Sequence, residues 1–308
     1  MYQFAIIGCG DSAQLHATQI QKHGRLVAVC DIVPSKADEI AMQYGARAWY
    51  NADQLLREEK DIDIVVVCTP NGYHAEHCIK SLQAGKHVIS ESPLCLTKAA
   101  AWQMIETEKF CRRKLFVVNA ITANIELAGL KKVIDEHTAD HFYSFDLKCT
   151  IDARLDPDKE WQFSLFPGGG SLYTHFTNYI DAVVFLFGEI EEVKGFTDNL
   201  SHKDIIEFED SGEIALKMAN GIPGNISWSL NDNEREEAAL QILTLKDPLS
   251  IGGVEKMISS ETVRYEELYE WIMQHIDSTH QSNLYQATKT VEAIEKIYKA
   301  VSSNVHIH

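Results

Sequence analysis

The sequence has no apolar run long enough to cross a membrane. Its longest runs, Ala182 to Phe187 and Ile64 to Cys68, fall far short of the roughly 20 residues that a spanning helix needs. The N-terminus enters an apolar segment without a basic region or a cleavage site, so we expect no signal peptide. These absences favour a cytoplasmic protein with no membrane partner.

Paired cysteines are also missing. The seven cysteines are scattered, and no two of them stand in a C-x-x-C arrangement. This pattern fits neither a disulfide framework nor a zinc site, so we expect mostly buried thiols and no metal site.

Basic residues are scarce compared with acidic ones. The 28 Lys and Arg residues stand against 45 Asp and Glu residues, which gives a formal net charge of −17. A polyanion would be repelled by such a surface, so a nucleic-acid partner is not expected. The length of 308 residues and the 45% of hydrophobic residues instead predict a globular protein of two domains.

Short apolar runs alternate with helical patterns between Phe4 and Asn119. Continuous β-rich runs predict strands that are buried on both faces, and repeated βαβ units predict a doubly wound parallel sheet. We therefore expect an N-terminal Rossmann domain at residues 1–120. Its predicted strands lie at residues 4–7, 26–29, 64–67, 87–89 and 115–118.

The pattern changes after about residue 120, where apolar and polar residues begin to alternate as in half-buried strands. Asn220-Gly221 predicts a hairpin, and Lys246-Asp247-Pro248 predicts another turn. We expect a C-terminal α/β domain at residues 121–308 with an open, largely antiparallel sheet, whose alternating apolar residues favour a homo-oligomer. The predicted helices lie at residues 124–136, 171–187, 264–276 and 283–301.

A glycine-rich turn follows the first predicted strand and opens a helix. Gly8 permits the tight turn, Gly10 lets the backbone approach a pyrophosphate, and Ala13 allows helix and strand to pack closely. Asp31, 23 residues after Gly8, should bind the adenosine ribose hydroxyls and repel a 2′-phosphate. The pattern therefore predicts NAD as the cofactor. The predicted pyrophosphate contacts are Gly8, Cys9, Gly10, Asp11, Ser12 and Ala13.

Three later segments resemble signatures of the Gfo/Idh/MocA oxidoreductases. Residues 69–74 resemble T-P-N-x-x-H, residues 85–94 resemble G-K-H-V-x-x-E-K-P, and residues 168–172 resemble a glycine-rich helix entry. The resemblance implies an NAD(P)-dependent enzyme for a small-molecule substrate, a sugar, polyol or nucleotide sugar, nearest to UDP-N-acetylglucosaminuronate 3-dehydrogenases. It also implies that the cofactor is contacted by Thr69, Pro70, Asn71, His74 and Glu91.

The chain departs from the family at the positions that handle the hydroxyl proton. Ser92 stands where the family has Lys, and Thr174 and Asn178 stand where it has Asp and His. None of these side chains is a base near neutral pH without an activator. His175, which flanks Asn178 at helical spacing, could replace the base, although a lone His on a helix is also a common structural residue.

Two functions stay open at this point. The first is an NAD-dependent oxidoreductase whose site uses His175, Ser92 and Asn178 in altered roles. The alternative is a non-catalytic NAD-binding sensor or partner subunit.

Overall fold

The protein is described by a computed structural model that covers residues 1–122, 124–137, 142–152, 157–231, 236–244, 249–252 and 264–302. Its residues form two compact units. Unit 1 comprises residues 1–123 and 264–288, and unit 2 comprises residues 124–263 and 289–308. Residues 264–288 thus return to unit 1, which differs from the division predicted at residue 120. The helix at Tyr265–His275 packs against the helix at Asp11–His23, which accounts for the difference.

Unit 1 contains a six-stranded parallel sheet with the strand order β3-β2-β1-β4-β5-β6. All five predicted strands begin and end within two residues of their predicted bounds. Prediction missed only the short strand β3. The strands are β1 (Tyr2–Ile7), β2 (Gly24–Cys30), β3 (Arg47–Trp49), β4 (Ile64–Val67), β5 (His87–Ser90) and β6 (Leu115–Val117).

Six helices accompany this sheet. The side chains of β4 are fully buried, as the continuous run Ile64–Val67 predicted, because helices cover a doubly wound sheet on both faces. The helices of unit 1 are α1 (Asp11–His23), α2 (Pro34–Tyr44), α3 (Ala52–Glu58), α4 (His74–Gln83), α5 (Lys98–Cys111) and α10 (Tyr265–His275).

Unit 2 contains a second six-stranded sheet with the order β12-β11-β7-β10-β9-β8. It is antiparallel except for the parallel pair of β7 and β10, so the predicted largely antiparallel sheet is confirmed. The hairpin at Asn220-Gly221 is also confirmed, since it joins β9 to β10, whereas the turn predicted at 246–248 lies outside the described residues. The strands are β7 (Phe142–Asp152), β8 (Ile190–Asp198), β9 (Ser211–Met218), β10 (Pro223–Asn231), β11 (Glu237–Thr244) and β12 (Leu249–Gly252).

The large apolar residues of β9 lie on the inner face of this sheet, whereas Phe196 in β8 and Leu243 in β11 are exposed. In β9, Ile214, Leu216 and Met218 are buried, whereas Glu213 and Lys217 are exposed. The alternation that suggested an apolar outer surface is therefore the core face of the sheet. The outer face of β9 is largely polar. The alternating apolar residues of β9 therefore no longer support a homo-oligomer, which stays a prediction.

The helices of unit 2 correct one prediction. The pattern at residues 171–187 suggested one helix, but the structure has two, α8 (Ser171–Thr174) and α9 (Thr177–Phe187). The Ser171 carbonyl accepts from both His175 N (2.8 Å) and Phe176 N (3.1 Å), which interrupts the regular register between them. The other α-helices among the described residues are α6 (Ile125–His137), α7 (Leu165–Gly168) and α11 (Leu284–Ser302), the last of which begins in unit 1.

No helix in the described ranges combines the length and the apolar character needed to cross a membrane. The predicted apolar stripe of α11 is buried, with Ile294 and Ile297 at 0% exposure. All seven cysteines are free thiols, and five of them are buried, as predicted.

Candidate functional site

The turn after β1 brings the backbone against the neighbouring strand end. Gly8 has φ = +93°, a conformation that strains any residue with a Cβ. A Cβ at this position would lie 2.5 Å from the carbonyl carbon of Cys68. Gly8 N donates to the Cys30 carbonyl at 2.8 Å, which joins the turn to β2 as well. The fold itself therefore requires glycine here.

Gly10, the N-cap of α1, has a different reason to be glycine. Its φ of −81° and ψ of −166° suit any residue, and a Cβ would meet no described atom within 4 Å. Packing within the described part of the chain thus does not explain this glycine. A ligand that approaches the bare backbone does explain it, and the free N–H groups of a helix start suit a pyrophosphate. The residues from Gly10 to Ala13 fit that group.

Asp31 is held in place beside this turn. Its Oδ2 accepts from Cys9 N at 2.7 Å, and its Oδ1 accepts from Val33 N at 2.8 Å. Both bonds leave further lone pairs on the carboxylate, which accepts hydroxyl donors and repels phosphate. The arrangement fits an adenosine ribose without a 2′-phosphate.

The loop after β4 carries an unpaired polar atom. Thr69 Oγ1 is buried and has no hydrogen-bond partner among the described residues. Such atoms are rare in folded proteins, so this hydroxyl fits a bound ligand group. Pro70 follows with an extended ψ of 148°, and Asn71 begins a 3₁₀ turn and is 3% exposed.

His74 connects this loop to the next one. Its side chain is buried, with Nδ1 2.7 Å from the Pro93 carbonyl and Nε2 2.6 Å from the Thr69 carbonyl. Both ring nitrogens therefore have protein partners. These contacts place His74 between the loops after β4 and β5, and its direct contact with the cofactor stays a prediction.

Glu91, directly after β5, is surrounded by donors. His16 Nε2 lies 2.8 Å from its Oε1, the Tyr265 hydroxyl donates to the same oxygen at 2.7 Å, and Ser92 N donates to Oε2 at 3.3 Å. Tyr269 OH lies 2.7 Å from His16 Nδ1 and orients the ring. Burial raises the pKa of Glu91, but these hydrogen bonds more than offset it, so its pKa lies below the ordinary value. Glu91 is therefore a fixed anionic acceptor, which suits ribose hydroxyls.

The same residues form a group of possible metal donors. One ligand atom each from His16, Cys68 and Glu91 lies within 4.8 Å of the others. Both His16 nitrogens already have partners, and Ser12 hydrogen-bonds the Cys68 thiol. Hydrogen bonding thus accounts for the group, and the predicted lack of a metal stays a prediction.

Internal packing explains the glycines that precede α8 in unit 2. Gly170 has φ = +96°, and a Cβ there would lie 2.4 Å from the Tyr298 hydroxyl. That hydroxyl donates to Glu209 Oε1 at 2.7 Å and accepts from Leu172 N at 3.0 Å. Unlike Gly10, Gly170 is therefore set by the protein's own side chains.

The predicted proton-handling residues of unit 2 lie around the break between α8 and α9. Thr174 ends α8 and donates through Oγ1 to the Gly168 carbonyl at 3.1 Å. His175 lies in the break, and Asn178 is the second residue of α9. The helical spacing predicted for His175 and Asn178 is thus interrupted.

His175 Nε2 and Asn178 Oδ1 are buried and have no hydrogen-bond partner among the described residues. Burial lowers the pKa of His175 to about 4, so the ring is neutral at pH 7. A neutral ring could accept a proton, but it is a weak base at this pKa.

Family models match both units. Residues 2–119 match the oxidoreductase family with an NAD-binding Rossmann fold, and residues 128–246 match the GFO/IDH/MocA C-terminal domain. The chain belongs to the Gfo/Idh/MocA family. Its first unit is an NAD-binding Rossmann domain, and NAD is the cofactor that its turn, carboxylate and unpaired hydroxyl fit.

Individual proteins are also similar to this chain. Oxidoreductase P35 of Formosa agariphila is 25% identical over 245 residues, which cover 76% of this chain and 74% of that protein. The D-glucoside 3-dehydrogenase of Escherichia coli is 39% identical over 109 residues, 34% of this chain and 31% of that enzyme. The WlbA dehydrogenase of Bordetella pertussis, solved with NADH and UDP-GlcNAcA, shares the fold with a TM-score of 0.86, 24% identity and coverage of 98% and 96%.

Sequence reasoning missed two tyrosines that contact Glu91 and His16 from a distant part of the chain. Tyr265 and Tyr269 reach the Glu91 and His16 pair from a segment more than 170 positions along the chain. No motif marks these tyrosines. Only their helical spacing of four residues, which places them on one face of a helix, was visible beforehand.

Proposed function

We propose that this chain is an NAD-dependent oxidoreductase acting on a secondary alcohol of a sugar, sugar acid or nucleotide sugar, with altered proton handling. The observation that carries the proposal is the dinucleotide site after β1 and β4, where a Cβ on Gly10 would meet no described atom within 4 Å and where the buried Thr69 hydroxyl has no hydrogen-bond partner among the described residues. The substrate class is supported by the relatives, one of which oxidises D-glucosides while another was solved with UDP-GlcNAcA. A cytoplasmic location and a homo-oligomer stay predictions.

When bound, NAD supplies the acceptor for the hydride from the carbinol carbon. The chain must then manage the hydroxyl proton. The Ser92 hydroxyl and the Asn178 amide can donate or accept hydrogen bonds to position an alcohol, but neither takes up a proton near neutral pH. His175 is the remaining ionisable candidate among the proton-site residues.

His175 is a weak base because burial lowers its pKa to about 4. General acid/base groups work best with a pKa near the operating pH, where they contribute about 10²- to 10⁴-fold in rate. We therefore propose slow turnover with His175 as the base. The same observation supports the alternative, a non-catalytic NAD-binding sensor or partner subunit.

The experiment measures NADH formation across a panel of sugars, sugar acids and UDP-sugars, for the wild type and His175→Ala, with NAD affinity determined in parallel. We expect slow wild-type turnover that His175→Ala abolishes while NAD affinity stays unchanged. Normal NAD binding with no turnover on any substrate would favour the sensor. Fast turnover that survives His175→Ala would show that the base assignment is wrong.

A further inference from the structure

Asn119 carries an unpaired donor at the edge of the Rossmann sheet. The residue is 3% exposed, and its Nδ2 is buried with no hydrogen-bond partner among the described residues. Its Oδ1 accepts from Thr122 N at 2.9 Å, which fixes the orientation of the amide. The unpaired atom is therefore the N–H donor and not the carbonyl.

The amide is also held rigidly. Asn283 Nδ2 donates to Thr122 Oγ1 at 2.7 Å and to the Val117 carbonyl at 2.7 Å, and its Oδ1 accepts from Val117 N at 2.8 Å. Thr122 and the end of β6 are thus fixed by one side chain. A rotation of the Asn119 amide that paired Nδ2 would break the bond to Thr122.

The register of the sheet places this donor. Val67, Ser90 and Val117 are paired across the ends of β4, β5 and β6. Thr69, Ser92 and Asn119 each follow two positions later, so all three belong to the segments that leave the carboxyl edge of the sheet. Thr69 and Asn119 each contribute an unpaired buried polar atom to these segments. Ligands of doubly wound folds bind at this edge.

The order of the strands indicates which half of NAD lies near Asn119. Asp31 after β2 and the turn after β1 take the adenosine ribose and the pyrophosphate, so the edge of β4, β5 and β6 takes the nicotinamide half. The anionic Glu91 after β5 suits ribose hydroxyls, which are donors. The nicotinamide carboxamide oxygen is an acceptor, so it needs a hydrogen-bond donor, which the Glu91 carboxylate cannot supply.

We infer that Asn119 binds the nicotinamide carboxamide oxygen through its Nδ2–H, as a cofactor-positioning residue. The bond holds the ring in one orientation at the sheet edge. The inference concerns the cofactor alone, so it holds for an enzyme and for a non-catalytic binder.

The test compares NADH with ADP-ribose, which retains both riboses but lacks the nicotinamide ring. Asn119→Asp keeps the acceptor for Thr122 N and removes the donor, and NADH is used because its uncharged ring gains no attraction from a carboxylate. We expect the Kd for NADH, measured by its fluorescence, to rise about 5- to 10-fold, as for a lost buried hydrogen bond, with the Kd for ADP-ribose unchanged.

Asn119→Leu, which has a similar size and no donor, repeats the test should Asn119→Asp fold poorly, and a thermal melt checks both. Equal weakening of NADH and ADP-ribose would overturn the inference, because the role would then be structural or would concern a ribose. Unchanged NADH binding in a folded variant would overturn it as well.

Discussion

A matched pair of glycine substitutions separates packing from cofactor binding in the turn after β1. Gly10→Ala adds a Cβ that meets no described atom within 4 Å, at φ and ψ values that alanine adopts. We expect the free energy of unfolding to change little, because alanine restricts the unfolded chain, worth about 0.4 to 1 kcal/mol, but is a poorer N-cap than glycine by a similar amount. The same Cβ occupies the space through which a pyrophosphate approaches the backbone.

Gly10→Ala should therefore weaken NAD binding. A hydrogen bond from a backbone N–H to a charged phosphate contributes about 1.5 to 3 kcal/mol, so losing one raises the Kd for NAD at least about tenfold. Gly8→Ala should instead lower the free energy of unfolding. The positive φ costs about 1 to 2 kcal/mol, and the 2.5 Å approach to the Cys68 backbone adds to it.

Two assays read this pair, urea unfolding for stability and calorimetric titration for NAD affinity. We expect Gly10→Ala to keep the wild-type unfolding midpoint and lose affinity, and Gly8→Ala to lose stability. If Gly10→Ala bound NAD like the wild type, the open space at this glycine would not be the pyrophosphate site. A clear loss of stability in Gly10→Ala would show that packing, rather than the ligand, requires this glycine.

Two further predictions concern Asp31 and His175. Asp31→Asn keeps an acceptor but removes the charge, so the ratio of NADP to NAD affinity should rise at least about tenfold, given that two like charges 4 Å apart repel by several kcal/mol; an unchanged ratio in paired titrations would contradict this role. The folded pKa of His175 lies near 4, below its ordinary value of 6.5, so the unfolded state takes up the proton first and stability is lost as the pH falls from 6.5 towards 4. His175→Asn should lose less stability over that range in denaturant titrations, and parallel pH profiles of the two proteins would refute this assignment.

Local patterns predicted the cofactor half of the molecule well. The run Ile64–Val67 and the turn from Gly8 to Ala13 combine short-range signals, and each appears in the structure where it was expected. Strands buried on both faces and tight βα turns impose composition directly on neighbouring residues. The prediction therefore needed no long-range information.

The break at His175 had no such signal. Neither His175 nor Phe176 is a helix-breaking residue, and the apolar pattern continues through both. The Ser171 carbonyl accepts from two backbone N–H groups there, and no short-range sequence signal predicts this arrangement. The pairing of Glu91 with Tyr265 and the parallel pairing of β7 with β10 likewise depend on contacts between distant parts of the chain.

We propose that the chain keeps the cofactor site and lacks the proton-handling groups usual in its family. This proposal is tested most directly by the turnover number of Ser92→Lys combined with Asn178→His, measured with the best substrate of the panel and with NAD affinity as the control. The account predicts that restoring both groups raises turnover by about 10²- to 10⁴-fold at unchanged NAD affinity. A wild-type protein that already turns over as fast as the double variant would contradict it.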